Sequence, residues 1–325
     1  MKQASHRAVL LLAVVLGLVA GCSSPSGGSV AGTDPGTRTV THALGTAEVP
    51  ASPQRVVSAS VTMTGHLLAL DLPVIASATT RPGGGTADGN GFFVAWGPRA
   101  VEQGTVPLGG PTVDVEAVAA QSPDVIVGSA VGADAVTPEA YAQLSAIAPT
   151  GVVDHSSLSW QELSARLGAD LGRADEAAAA EQGFAARAAE VGQRIDTSRE
   201  AVALTITPDG YNVFTADSAQ GKLLTQLGLR LRPVEASGRS GLGNAGQRRD
   251  AVPVAQENAG QFGDASLFVV NATDEQVEQQ RARQPLLATL PAFTEGRVYG
   301  LGPESFRLDR FAADAVLDRL EASAG

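Results

Sequence analysis

The chain has 325 residues, a formal net charge of −11, 44% hydrophobic residues and a single cysteine. That acidity argues against a nucleic-acid partner, whose phosphates it would repel. One cysteine excludes an intramolecular disulfide framework, and the length suggests two domains of ordinary size.

Lys2 and Arg7 precede a nearly unbroken apolar run from Ala8 to Ala20. The run is too short to span a bilayer stably but fits the core of a signal peptide. It closes in Leu18-Val19-Ala20-Gly21-Cys22, small residues before a cysteine, the pattern of a bacterial lipoprotein. Residues 1–21 are therefore expected to be a leader. Lipidation of Cys22 would tie the mature chain to the extracytoplasmic face of the cell membrane. Residues 22–37, rich in Ser, Gly and Pro, read as a flexible tether that cannot bury enough apolar surface to fold. No later run is long and apolar enough for a transmembrane helix.

From there, β-branched runs alternate with helical patterns. Strands are predicted over 55–59, 74–76, 124–128 and 150–153, with helices over 62–70, 113–121, 141–147 and 160–170 between and after them. Residues 174–195 are Ala-rich, without proline, and built from strong helix formers. At 1.5 Å per residue this helix would reach on the order of 30 Å. The second half repeats the alternation: strands over 201–205 and 266–270, helices over 218–227, 252–260 and 306–320. Such alternation implies parallel α/β packing. The expected fold is α/β, two Rossmann-like lobes at 38–172 and 197–325 joined by one long helix over 173–196.

Several stretches carry a resemblance. Val115-Glu116-Ala117-Val118 runs through Gln121-Ser122-Pro123-Asp124 into Val125-Ile126-Val127. Arg55 to Gly65, Pro73 to Ser77, Ala87-Asp88 with Gly91-Phe92 and Trp96, Gln143 to Thr150, Ser218 to Gly221, Pro285 to Ala288 and Glu304 to Asp309 follow in order. Together they resemble the periplasmic binding proteins for siderophores, haem and cobalamin, and more closely the ferric-enterobactin binders, over about residues 40 to 323.

That resemblance implies a class III periplasmic binding protein fold, a cleft ligand, and delivery to the permease subunits of an ABC importer powered by a cytoplasmic ATPase. A ferric tris-catecholate is a bulky anion with aromatic faces, so its site needs arginines and rings. The siderophore already ligates the iron, so no cofactor and no protein metal ligand is expected. Arg307 matches the family's cleft arginine, Arg248 falls where the family has a basic pair, and Arg249 stands beside it. Arg81 precedes Gly83-Gly84-Gly85, where the enterobactin binders place an arginine. Phe214 stands where those proteins carry a cleft tryptophan; Phe92 and Trp96 are further candidate walls. The family docks through one exposed glutamate per lobe, matched here by Glu116 and Glu257. A monomer is expected.

Rival readings are weaker. His6, His42, His66 and His155 show no metal-ligand spacing, which disfavours a zinc or manganese receptor. Asp154-His155-Ser156 are adjacent in sequence and would point apart, whereas a hydrolase triad assembles in space. No enzyme constellation is present. Haem, cobalamin or a non-catecholate siderophore remain alternative cargoes on the same fold. A lipoprotein sensor or interaction module without transport is the alternative of another class.

Overall fold

The computed structural model describes residues 36–83, 85–238 and 250–323. The leader, Cys22 and nearly all of the expected tether lie outside them, as do Arg248 and Arg249. Among the described residues no helix is long and apolar enough to cross a membrane.

The first element is one the sequence reading missed, a hairpin of β1 (Thr37–His42) and β2 (Gly45–Pro50). Its strands pair antiparallel, Thr37 opposite Pro50, and bury Val40 and Val49. The N-terminal lobe then winds through β3 (Val56–Ser58), α1 (Val61–Ala69), β4 (Val74–Ser77), α2 (Gly97–Gln103) and β5 (Val106–Pro107). It continues with α3 (Val115–Ala120), β6 (Val125–Ser129), α4 (Pro138–Ser145) and β7 (Thr150–Val153). Its five strands are all parallel in the order β5-β4-β3-β6-β7. The winding reverses between β3 and β6, so the crevice beyond their carboxyl ends is where such a sheet binds ligands. Helix starts follow local chemistry: Ser60 accepts from Met63 N–H, and Asp114 accepts from Glu116 and Ala117 N–H. Each satisfies donors that the first helical turn leaves unpaired.

α5 (Trp160–Leu171) packs Leu163, Leu167 and Leu171 into the N-terminal core, and α6 (Ala174–Gly192) then runs on to the C-terminal lobe as the connector. Ser159 and Glu162 form a capping box that opens α5. A side chain at Gly168 would press on Ala177, 2.9 Å from its Cβ, so that glycine permits the tight α5–α6 turn.

The C-terminal lobe comprises β8 (Glu200–Thr207), β9 (Gly210–Phe214), α7 (Ala219–Gln226), β10 (Arg230–Leu231) and β11 (Ala251–Ala255). Then come β12 (Ser266–Val269), α8 (Asp274–Arg283), α9 (Pro291–Thr294), β13 (Val298–Gly300) and α10 (Arg310–Ser323). Its sheet runs β11-β9-β8-β12-β13, with β10 beside β8. The β8–β12 and β12–β13 pairs are parallel; β8–β9 and β9–β11 are antiparallel.

Two predicted helices are corrected. Residues 252–260 are not helical throughout: β11 pairs Val252 with Val213 and Val254 with Tyr211, and only Gln256–Phe262 coils, as a 3₁₀ turn. The short Val252, Val254 alternation is a strand signal that the following polar residues masked, and Pro253 is tolerated because β11 is an edge. The last helix begins at Arg310 rather than at Phe306. The Asp309 carboxylate accepts from Ala312 N–H at 2.9 Å, ending the preceding loop as a helix cap does.

Phe184, Ala188 and Val191 of α6 enter the C-terminal core with Leu223, Leu224, Leu317 and Leu320. Trp160 of α5 meets Phe184 edge-on at 5.0 Å. Phe311 of α10 reaches the other way and packs on the N-terminal core.

Candidate functional site

The loop from Gly302 to Asp309, which leads into α10, is held from three directions. Ser305 is buried; its hydroxyl donates to Gly302 O at 2.7 Å and accepts from Asn271 N–H at 2.9 Å. Gln220, also buried, donates through Nε2 to Ser305 O and Phe306 O, both at 2.9 Å. Glu304 pairs with Arg319 at 2.9 Å. The loop therefore presents Phe306 and Arg307 in one geometry. The Ser218–Gly221 stretch acquires its reason here: Ser218 caps α7 and Gln220 ties that helix to the Arg307 loop.

The opposing wall comes from the N-terminal lobe. Asp88 Oδ1 accepts from Asn90 N–H at 2.8 Å and Phe92 N–H at 2.9 Å, closing a tight turn. Gly91 has φ +80°, and a side chain there would strike Thr80 O, so the turn requires glycine. The turn drives Phe92 inward and leaves Phe93 half-buried at the cleft.

Arg307 lies between the two walls. Its guanidinium carbon sits 5.4 Å from the Phe93 ring centroid and 5.5 Å from that of Phe306. Both are cation–π distances, one across the lobes and one within the C-terminal lobe. Arg307 is exposed and, among the described residues, has no ion pair. The recess it borders, shared with Thr86, Asn271 and Asp309, encloses about 60 Å³. Drug-sized ligands occupy about 300–1,000 Å³, so this recess alone does not enclose a siderophore.

His155 stands close enough for the Arg307 charge to act on it. Its Nε2 is 3.2 Å from Ser129 Oγ at the end of β6. Burial, with a smaller push from Arg307, lowers its pKa against the pull of Asp134 and Asp154, so the imidazole is neutral at pH 7. Asp134 accepts from Ser60 Oγ at 2.5 Å. Asp309, buried where α10 meets α1, is pushed up to about 6 by desolvation. Gly65 of α1 leaves it room: a side chain there would fall against the Asp309 carboxylate and the Trp96 ring.

The sequence-predicted residues divide. Arg307 is at the cleft. Arg81 is exposed on the loop before Gly83, without an ion pair among the described residues, and does not line the Arg307 recess. Phe92 and Trp96 are corrections: they are 1% and 0% exposed, packed in the N-terminal core, and cannot wall the cleft. Phe214 is likewise a correction, buried in the C-terminal core behind Phe306, with ring centroids 6.2 Å apart. The rings that do lie beside Arg307 are Phe93 and Phe306. Sequence reading missed Phe93 because an irregular turn gives two adjacent phenylalanines opposite fates without any periodicity. Glu116 is exposed in the first turn of α3, and Glu257 is exposed in the first turn of the 3₁₀ segment, not of an α-helix. Asp154 and Ser156 do meet, Ser156 Oγ donating at 2.7 Å, but as a local turn that excludes His155. Among the described residues no cluster of His, Cys, Asp and Glu could hold a metal.

Comparison with known proteins gives a consistent picture. The family model described as periplasmic binding protein matches residues 94–305. The ferric enterobactin-binding periplasmic protein FepB of Escherichia coli is 40% identical over 290 residues, covering 88% of this chain and 90% of that protein. The probable siderophore-binding lipoprotein YfiY of Bacillus subtilis is 29% identical over 232 residues, 70% of this chain and 68% of that one. The crystal structure of holo-ViuP superposes with a TM-score of 0.73 at 33% identity, covering 87% of this chain and 93% of that chain.

Proposed function

The chain belongs to the periplasmic binding protein family, and on that footing we propose that it is the solute-binding subunit of an ABC importer that captures a ferric siderophore of the catecholate class. The observation that carries the cargo assignment is Arg307, a cation held between a ring from each lobe and without an ion pair among the described residues. Such a group offers a bulky aromatic anion both charge and stacking surface. The similarity to a ferric enterobactin binder supports the same cargo. Arg81 and, outside the described residues, Arg248 and Arg249 are the further cations such an anion would recruit.

The rest of the reading follows. Lipidation at Cys22 anchors a monomer to the extracytoplasmic face of the membrane, with the stretch from Cys22 up to β1 as its tether and 173–196 as the bridge between the N-terminal lobe and lobe 197–325. Glu116 and Glu257 dock on the permease subunits, whose partner ATPase drives uptake. The protein has no catalytic role and needs no resident cofactor. Calorimetric titration of the purified domain with ferric enterobactin, haem and a ferric hydroxamate tests the cargo. Submicromolar binding of the catecholate alone is expected. Binding of another ligand with the catecholate ignored would keep the family and overturn the cargo.

A further inference from the structure

The C-terminal lobe carries a recess of about 670 Å³ that is not part of the Arg307 cluster. One wall is the β8–β9 turn at Thr207 and Pro208, another is Gln256, and the third is the end of α8 with Gln280, Arg283 and Gln284. Two carboxamides brace these walls: Gln284 donates to Thr207 O at 3.2 Å, and Gln256 donates to Pro208 O at 2.6 Å. At the rim Leu286 is 52% exposed, one of three large apolar side chains that the described residues leave exposed. No aromatic side chain lines the recess and one arginine does, so its chemistry is poor for a ferric catecholate.

Three features mark it as a surface awaiting a protein. The side-chain oxygens of Gln280 and Gln284 are shut off from solvent and have no donor. Buried acceptors without a donor are rare in folded proteins, and a donor brought into the recess beside Gln280 and Gln284 would satisfy them. Glu257, the chain neighbour of Gln256, and Arg283 are both exposed, opposite in charge and without ion pairs among the described residues. Leu286, which lines the same recess as Arg283, supplies apolar area.

We propose that this recess is a socket for a protruding loop of the importer's membrane subunit, one that inserts an apolar side chain with a hydrogen-bond donor beside it. Glu257 and Arg283 would fix its register through charges of the opposite sign. The proposal rests on the reading of Glu257 as a docking residue, and it adds that the carboxylate alone does not carry the contact.

The test uses Leu286→Asp and Glu257→Ala separately, in the full-length protein with its own permease–ATPase complex in proteoliposomes. Ferric enterobactin affinity by calorimetry is the control readout. Leu286→Asp is expected to raise at least tenfold the amount of binding protein needed for half-maximal stimulation of ATP hydrolysis, with cargo affinity changed less than twofold. Full stimulation by Leu286→Asp alongside a loss with Glu257→Ala would keep the docking glutamate and remove the socket. Full stimulation by both would overturn the docking reading itself. Loss of cargo affinity in Leu286→Asp would make the recess part of the ligand site. A wild-type dimer in sedimentation that Leu286→Asp dissociates would make it a self-association surface. Either of these last results refutes the socket.

Discussion

Phe92 and Phe93 are adjacent in sequence and should fail in opposite ways when truncated. Phe92 is 1% exposed in the N-terminal core beside Trp96, their ring centroids 5.3 Å apart. Its removal leaves a cavity, and Phe→Ala in a core costs about 3–5 kcal/mol. Phe93→Ala removes a half-buried ring that faces Arg307 at 5.4 Å. Aromatic stacking contributes about 0.5–1.5 kcal/mol beyond area burial, so affinity for ferric enterobactin should fall about 2- to 12-fold. Arg307→Ala removes a charge-assisted contact of about 1.5–3 kcal/mol, roughly 12- to 150-fold in Kd. Since Arg307 has no ion pair among the described residues, deleting it strands no carboxylate, and the lost affinity reports the cargo contact itself. Calorimetry gives Kd and thermal unfolding gives stability for each variant. Phe92→Ala should lower Tm on the order of 10 °C while its folded fraction binds normally. Unchanged affinity in both Phe93→Ala and Arg307→Ala would refute the cleft assignment.

Three further outcomes are expected. Gly65→Ala places a methyl against the Asp309 carboxylate and the Trp96 ring, and overpacking of this kind costs about 1–3 kcal/mol; denaturant midpoints measure it. The Asp309 carboxyl, pushed up to about 6 by burial, keeps its proton in the folded state after the unfolded chain has released it, so its contribution to stability is lost as pH rises from about 4 to 6. Asp309→Asn should therefore gain on the wild type across that window by up to about 3 kcal/mol, read as the difference between their unfolding curves from pH 4 to 7. Glu116→Ala combined with Glu257→Ala should leave cargo affinity intact and stop uptake in cells; normal uptake would remove both docking assignments.

Much of the architecture was legible because its signals are local. The Val56–Ser58 and Val125–Ser129 runs are buried on every residue, as strands covered on both faces must be, and their near-continuous apolar sequence announces it. Ser60, Asp114 and Ser218 mark helix starts through side chains that reach only two or three residues ahead. The cleft was less legible because its chemistry depends on contacts far apart in sequence. Gln220 fixes the Ser305–Phe306 backbone from 85 and 86 residues away in sequence, and no pattern near residue 220 records that. The hairpin at Thr37–Pro50 escaped for a different reason. Its alternation, with Val40, His42 and Val49 inward, is present but sits in a polar, threonine-rich stretch continuous with the tether.

The packing of the connector bears on how the cleft can open. Arg187 and Arg194 of α6 reach Asp318 and Glu321 of α10, and Arg310 reaches back to Ala180 O. Exposed ion pairs each contribute only about 0–1 kcal/mol, so they do not by themselves make the joint stiff. The stiffness comes from Phe184, Ala188 and Val191, which share one core with Leu223, Leu317 and Leu320. Burying a Leu or Phe side chain is worth about 1.5–3 kcal/mol, and moving α6 away from this lobe would expose several at once. The contacts between α1 and the start of α10 are thinner, a glycine against a carboxylate and Phe311 against the N-terminal core. Cargo-driven separation should therefore carry α6 along with the C-terminal lobe and give way at Gly65 and Asp309, beside the ring pair that grips Arg307.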